Sequence, residues 1–191
     1  MVARCLEIRD ITMSFLLAIG FFGLFRTGEL LQLCLNDVNV DTNAVITHLS
    51  ETKTSGKTGP GEHIVIREPA VLHLTRTFLA LQPRRGLIWR ESSQQFRVQF
   101  SRIISFFRLS EHGYRPYSLR RGGATQLYRA QVPMDLILIK GRWRNSSSAR
   151  QYISDGMTEI AAAKFSKKTR TLIRMSLSQL GFSSSSEQTS W

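Results

Sequence analysis

The sequence predicts an α+β fold, mainly α, with a small antiparallel β-sheet, on three observations. Apolar residues recur at helical spacing over most of the chain. One interval, residues 38–66, turns instead to β-branched segments around a polar, Gly-rich stretch. Pro69, Pro116 and Pro133 each stand just ahead of a helical pattern, where proline starts a helix without interrupting it. The 191 residues suffice for one domain with a substantial core plus a tail.

Taken in order, residues 8–35 are apolar on all sides, as in a helix surrounded by others, with a break expected near residues 20–23 and an end at Asn36 and Asp37. Residues 44–49 and 63–66 read as strands, joined by a long hairpin loop over 54–61. Helical spacing returns at 71–81 and 96–107, after Pro116, after Pro133, and around Tyr152. Ser118 is the expected cap after Pro116, and the Ser146 to Ser148 run supplies caps for the Tyr152 helix. The organisation is a main domain over 1–156, a C-terminal amphipathic helical segment over 157–180, and a polar Ser-rich tail over 181–191 expected to be disordered.

Lys and Arg number 26 against 14 Asp and Glu, a net +12 that points to a polyanionic partner such as nucleic acid. The excess is concentrated: residues 84–150 hold fourteen basic side chains, thirteen of them Arg, against Glu91, Glu111 and Asp135. Arg grips phosphate with a planar fork, so the cluster is more than a solvated face. Cys5 and Cys34 are too few for a disulfide framework and lack metal-ligand spacing, which places the chain in a reducing intracellular compartment. The apolar run over 11–25 is short for a membrane span and is interrupted by Thr12, Ser14 and Gly20, so no membrane partner is expected.

Five stretches carry chemistry. In Gly23-Leu24-Phe25-Arg26-Thr27-Gly28-Glu29-Leu30, Arg26 follows an apolar run, and Glu29, one turn on, is placed to pair with it or to orient it toward a phosphate. Lys53 lies in Glu51-Thr52-Lys53-Thr54-Ser55-Gly56-Lys57, which lacks the spacing of a nucleotide-binding loop. Tyr117-Ser118-Leu119-Arg120-Arg121-Gly122-Gly123 opens a helix whose positive end suits a phosphate, with Tyr117 and Arg120 on one side. The two glycines there point to close packing against a neighbouring backbone. Gly141-Arg142-Trp143-Arg144-Asn145-Ser146 ends one helix, and Tyr152 follows in Ala149-Arg150-Gln151-Tyr152-Ile153.

In order, these stretches resemble the signature of the tyrosine recombinase or phage integrase family, whose pattern runs Arg, Lys, His-x-x-Arg, His or Trp, then Tyr. Arg26, Lys53, Tyr117-x-x-Arg120, Trp143 and Tyr152 match it over about residues 8–153. The resemblance implies a multihelical DNA breaking-rejoining catalytic domain over 1–156. Tyr152 would attack a DNA phosphodiester to form a 3′-phosphotyrosine. Arg26 and Arg120 would stabilise the phosphate, Trp143 would donate and wall the site, and Glu29 would support Arg26. Lys53, nearer the strand than Lys57, is the preferred general acid. It further implies double-stranded DNA as partner, a homo-tetramer on DNA, no nucleotide cofactor and no catalytic metal.

The sequence departs from the pattern at Tyr117, where the family usually has His; a phenol, with a reference pKa of about 10, cannot exchange protons near neutrality as imidazole does. The family's usual front DNA-binding domain is also expected to be missing. These departures keep open a catalytically silent DNA-binding relative. A relaxing enzyme akin to type IB topoisomerases is disfavoured by the lack of a long linker before the Tyr.

Overall fold

The computed structural model describes residues 1–7, 10–49, 61–82 and 85–179. Lys53, Lys57 and the expected tail over 181–191 lie outside the described residues. The helices are α1 (Val2–Glu7), α2 (Ile11–Phe22), α3 (Thr27–Gln32), α4 (Pro69–Ala80), α5 (Ser93–Phe106), α6 (Ser118–Arg129), α7 (Met134–Gly141), α8 (Ser146–Ala162) and α9 (Lys167–Gln179). The strands β1 (Val38–Val40), β2 (Val45–Leu49) and β3 (Glu62–Ile66) form one antiparallel sheet in that order. β1 is an addition to the two strands expected: it is too short to show alternation, and only its pairing with β2, Val38 facing Thr47, defines it.

Helix α2 organises the main core. Met13 through Gly20 are all buried, as expected for a helix enclosed by others, and the Phe15 ring stacks on Phe78 of α4 with centroids 4.2 Å apart. The break expected near residues 20–23 falls at Gly23, where the chain leaves α2 and turns through Leu24 at φ 53 before α3. Cys5 is buried in this core, and burial first, with Asp10, pushes its thiol up to about 12, which removes it as a nucleophile. A second, smaller core of Leu24, Ala124, Ile137 and Ile153 lies where α6, α7 and α8 meet. It fixes the elements that carry Arg120, Trp143 and Tyr152.

Helix α6 crosses α2 closely: a Cβ on Gly123 would sit 2.2 Å from the Phe21 carbonyl oxygen, so the glycine is required by backbone approach, as the sequence suggests. The caps differ from expectation. Ser118 is already helical, and its Oγ accepts from Arg115 N–H at 3.1 Å. Asn145 caps α8 through Ser148 N–H at 3.1 Å, because the longer Asn side chain stands one residue ahead of the serines. Helix α8 also runs past residue 156 to Ala162, with Glu159 paired to Arg121 of α6. The stretch expected as one helix over 157–180 is therefore the end of α8 followed by α9, which starts where Ser166 Oγ accepts from Thr169 N–H. Leu172 and Ile173 of α9 pack against the main core.

Candidate active site

Arg26, Glu29, Tyr117, Arg120, Trp143 and Tyr152 converge, though Arg26 and Tyr152 are far apart in the chain. The Tyr152 ring, half-buried on α8, lies 5.6 Å from Trp143 and 5.3 Å from Tyr117, centroid to centroid. The Arg120 guanidinium stands 4.3 Å from the centroid of Trp143, in cation–π range. A cation, an indole and two phenols thus form one continuous run of contacts, the rings tilted to one another. Gly141 makes room for it, since a Cβ there would meet Trp143 Cζ3 at 1.7 Å.

Arg120 is only 1 % exposed, and its two terminal nitrogens donate to the Leu24 and Gly141 carbonyls. Those carbonyls sit beside two left-handed residues, Leu24 at φ 53 and Arg142 at φ 55, conformations that cost a non-glycine residue about 1–3 kcal/mol. The backbone strain flanks the buried cation and aims acceptors at it. Burial first, then Arg26 and Arg142, push Arg120 down to about 9, which leaves it charged at neutral pH.

Glu29 is the counterion of the site. Its Oε2 accepts from Arg26 N–H at 2.8 Å and from Arg142 Nη2 at 2.6 Å, and its Oε1 accepts from the Arg26 guanidinium. Burial alone would raise this carboxyl, but Arg142 and the contacts to Arg26 hold it below the ordinary value. Glu29 thereby pairs with Arg26, the structural reading that the sequence offered. Arg26 is 36 % exposed and lines an open cleft of about 600 Å³, together with Arg142, Trp143, Arg144, Glu62 and His63.

Arg142 was missed by the sequence reading. Its nearly buried guanidinium joins Glu29, lies 3.2 Å from a Glu62 oxygen without hydrogen-bond alignment, and donates to the Gly23, Leu24 and Lys140 carbonyls at 3.3–3.4 Å. It ties the α2–α3 turn to the α7–α8 turn. A signal existed, since the residue after a helix end is the usual left-handed position and Gly141 marks that end. Nothing in the sequence linked it to Glu62 on the sheet. The basic stretch over 84–150 also divides: Arg120 and Arg142 are internal, whereas Arg85, Arg90, Arg97, Arg102, Arg108, Arg115, Arg144 and Arg150 are exposed.

The family model for the phage integrase family matches residues 2–159, and the chain belongs to that family. It is 26% identical to an integrase/recombinase xerD homolog of Selenomonas ruminantium, over 74% of this chain and 46% of that protein. Its fold is similar to that of the XerH site-specific recombinase bound to palindromic difH substrate in a post-cleavage complex, with a TM-score of 0.65 and 18% identity over 84% of this chain and 49% of XerH. The XerH pre-cleavage complex with difH gives a TM-score of 0.64 at 18% identity, over 79% and 46% of the two chains. The chain thus spans about half the length of these relatives. Among the described residues, no helix is long and apolar enough to cross a membrane.

Proposed function

We propose that this chain cleaves and rejoins double-stranded DNA in site-specific recombination, with Tyr152 as nucleophile and a 3′-phosphotyrosine as intermediate. The observation that carries the proposal is the packing of Tyr152 against Trp143, which in turn covers the Arg120 guanidinium. The Tyr152 oxygen bonds to phosphorus as the bond from phosphorus to the 5′-oxygen breaks. The phenol loses its proton and the 5′-oxygen gains one; attack by a 5′-hydroxyl on the phosphotyrosine reverses both steps. Negative charge accumulating on the nonbridging oxygens is met by Arg26 and Arg120, worth most where water is excluded, as beneath Trp143. Glu29 keeps Arg26 in position without taking all its donors: one terminal nitrogen faces Glu29, the other the Arg142 carbonyl at 3.3 Å. Lys53 is proposed as the acid that protonates the 5′-oxygen, and a homo-tetramer on DNA as the working assembly.

A silent DNA-binding relative is the second reading. It is favoured by Tyr117 at the position of the family's His and by Arg120 already donating to two carbonyls. The two readings separate on a nicked suicide duplex, whose released end diffuses away. The enzyme gives a detergent-resistant protein–DNA band that Tyr152→Phe abolishes while DNA binding persists; the silent binder gives no band.

A further inference from the structure

The cleft beside Trp143 has a wall that none of the sequence motifs supplies. Glu62 and His63 open β3, and both line it with Arg26, Arg142 and Arg144. His63 is exposed, and its ring packs 4.8 Å from that of His48, its direct partner across the β2–β3 ladder. His48 lies against Gly61, where a Cβ would fall 2.6 Å from its Cε1, and of the two imidazoles His63 is the one that lines the cleft.

We propose that His63 contacts a DNA phosphate. The proposal rests on the reading of this cleft as a seat for the DNA backbone, but not on strand cleavage. The groups around His63 are Arg26 at the start of α3, Arg142 and Arg144 between α7 and α8, Glu62 on its own strand, and His48 on β2. Glu51, Lys53 and Lys57 lie outside the described residues. The guanidiniums are fixed cations, and Glu62 is engaged by Arg142 at 3.2 Å. Among the described residues lining the cleft, His63 is therefore the side chain of a type that ordinarily changes charge between about pH 5 and 8. A charged imidazole at this place adds one ionic contact to the DNA backbone. The sheet supplies the site with the imidazole that helix α6, carrying Tyr117, lacks.

The test is the salt dependence of binding to a short fluorescent DNA duplex, with the full chain, at about pH 6 and about pH 8. Each phosphate neutralised contributes a log–log slope of roughly −0.9. The wild type should show a slope steeper by about 0.9 at the lower pH. His63→Gln should give one slope at both pH values, the shallower, and His63→Arg should give the steeper slope at both. Because His63 is exposed, both variants should retain the wild-type melting curve. The proposal is overturned if His63→Gln keeps the wild-type difference or if the wild type shows none. Absence of covalent adducts alongside these slopes would overturn cleavage and leave His63 standing, whereas salt-insensitive binding would overturn both.

Discussion

The Arg120 guanidinium lies 4.3 Å from the centre of the Trp143 ring, and Trp143 is in turn the neighbour of Tyr152 at 5.6 Å. The indole thus bridges the buried cation and Tyr152, the proposed nucleophile. Trp143→Phe keeps a ring face over Arg120 but loses the N–H, whereas Trp143→Ala loses both. Adduct formation should fall in both variants, further in Trp143→Ala, which should also lose about 1–3 kcal/mol of stability by denaturant titration. Equal activity in Trp143→Ala and wild type would make the packing of Arg120, Trp143 and Tyr152 incidental.

Gly141→Ala tests the same cluster through its contact with Trp143. A Cβ meeting Trp143 Cζ3 at 1.7 Å must displace the indole, since Gly141 also presents the carbonyl that holds Arg120. Overpacking of this kind costs about 1–3 kcal/mol. The expected signature is a change in tryptophan fluorescence together with loss of adducts, and unchanged emission would contradict the packing described.

Glu29 gives a pH signature. Its folded carboxyl is held below the ordinary value, so its contribution is present above the unfolded pKa, about 4.3, and is lost as pH falls through the folded value. Glu29→Gln should flatten the acid limb of stability against pH. Because Arg142 would be left in a buried site without its carboxylate, it should also cost about 3–5 kcal/mol at neutral pH, less if Glu62 compensates. A stability profile parallel to the wild type down to acid pH would argue against the pair.

Tyr117 touches Tyr152 through its ring, at 5.3 Å, and is 37 % exposed. If its hydroxyl also serves the phosphate, Tyr117→Phe should lower cleavage by up to about a hundredfold, the cost of one oxyanion-type donor, and Tyr117→His should preserve or raise it. Full activity in Tyr117→Phe with an inert Tyr117→His would reduce Tyr117 to a packing neighbour.

Much of the site was legible because its chemistry is local: Arg26 with Glu29, Tyr117 with Arg120, and Gly141 with Trp143 lie within one helical turn or less. Helices α4 to α7 were legible because prolines and apolar periodicity mark them, and Gly123 because only a close crossing explains a glycine there. What was not legible depends on contacts distant in sequence. Arg142 matters through Glu29 and Glu62, and His63 through the cleft that α7 and α8 complete, so neither motif nor spacing announces them. The sequence reading set a boundary at residue 156, whereas in the fold Gly156 is buried within α8, with Thr125 Oγ1 2.1 Å from where a Cβ would stand.

The most direct test of the central claim is to map the covalent DNA attachment site. After trapping on a suicide duplex, nuclease trimming and tryptic digestion, mass spectrometry should find the residual 3′-phosphonucleotide on the peptide spanning residues 151–164, localised to Tyr152. Attachment at Tyr117, Tyr128 or any other side chain, or recovery of that peptide only in unmodified form from a gel-purified covalent complex, would contradict the account.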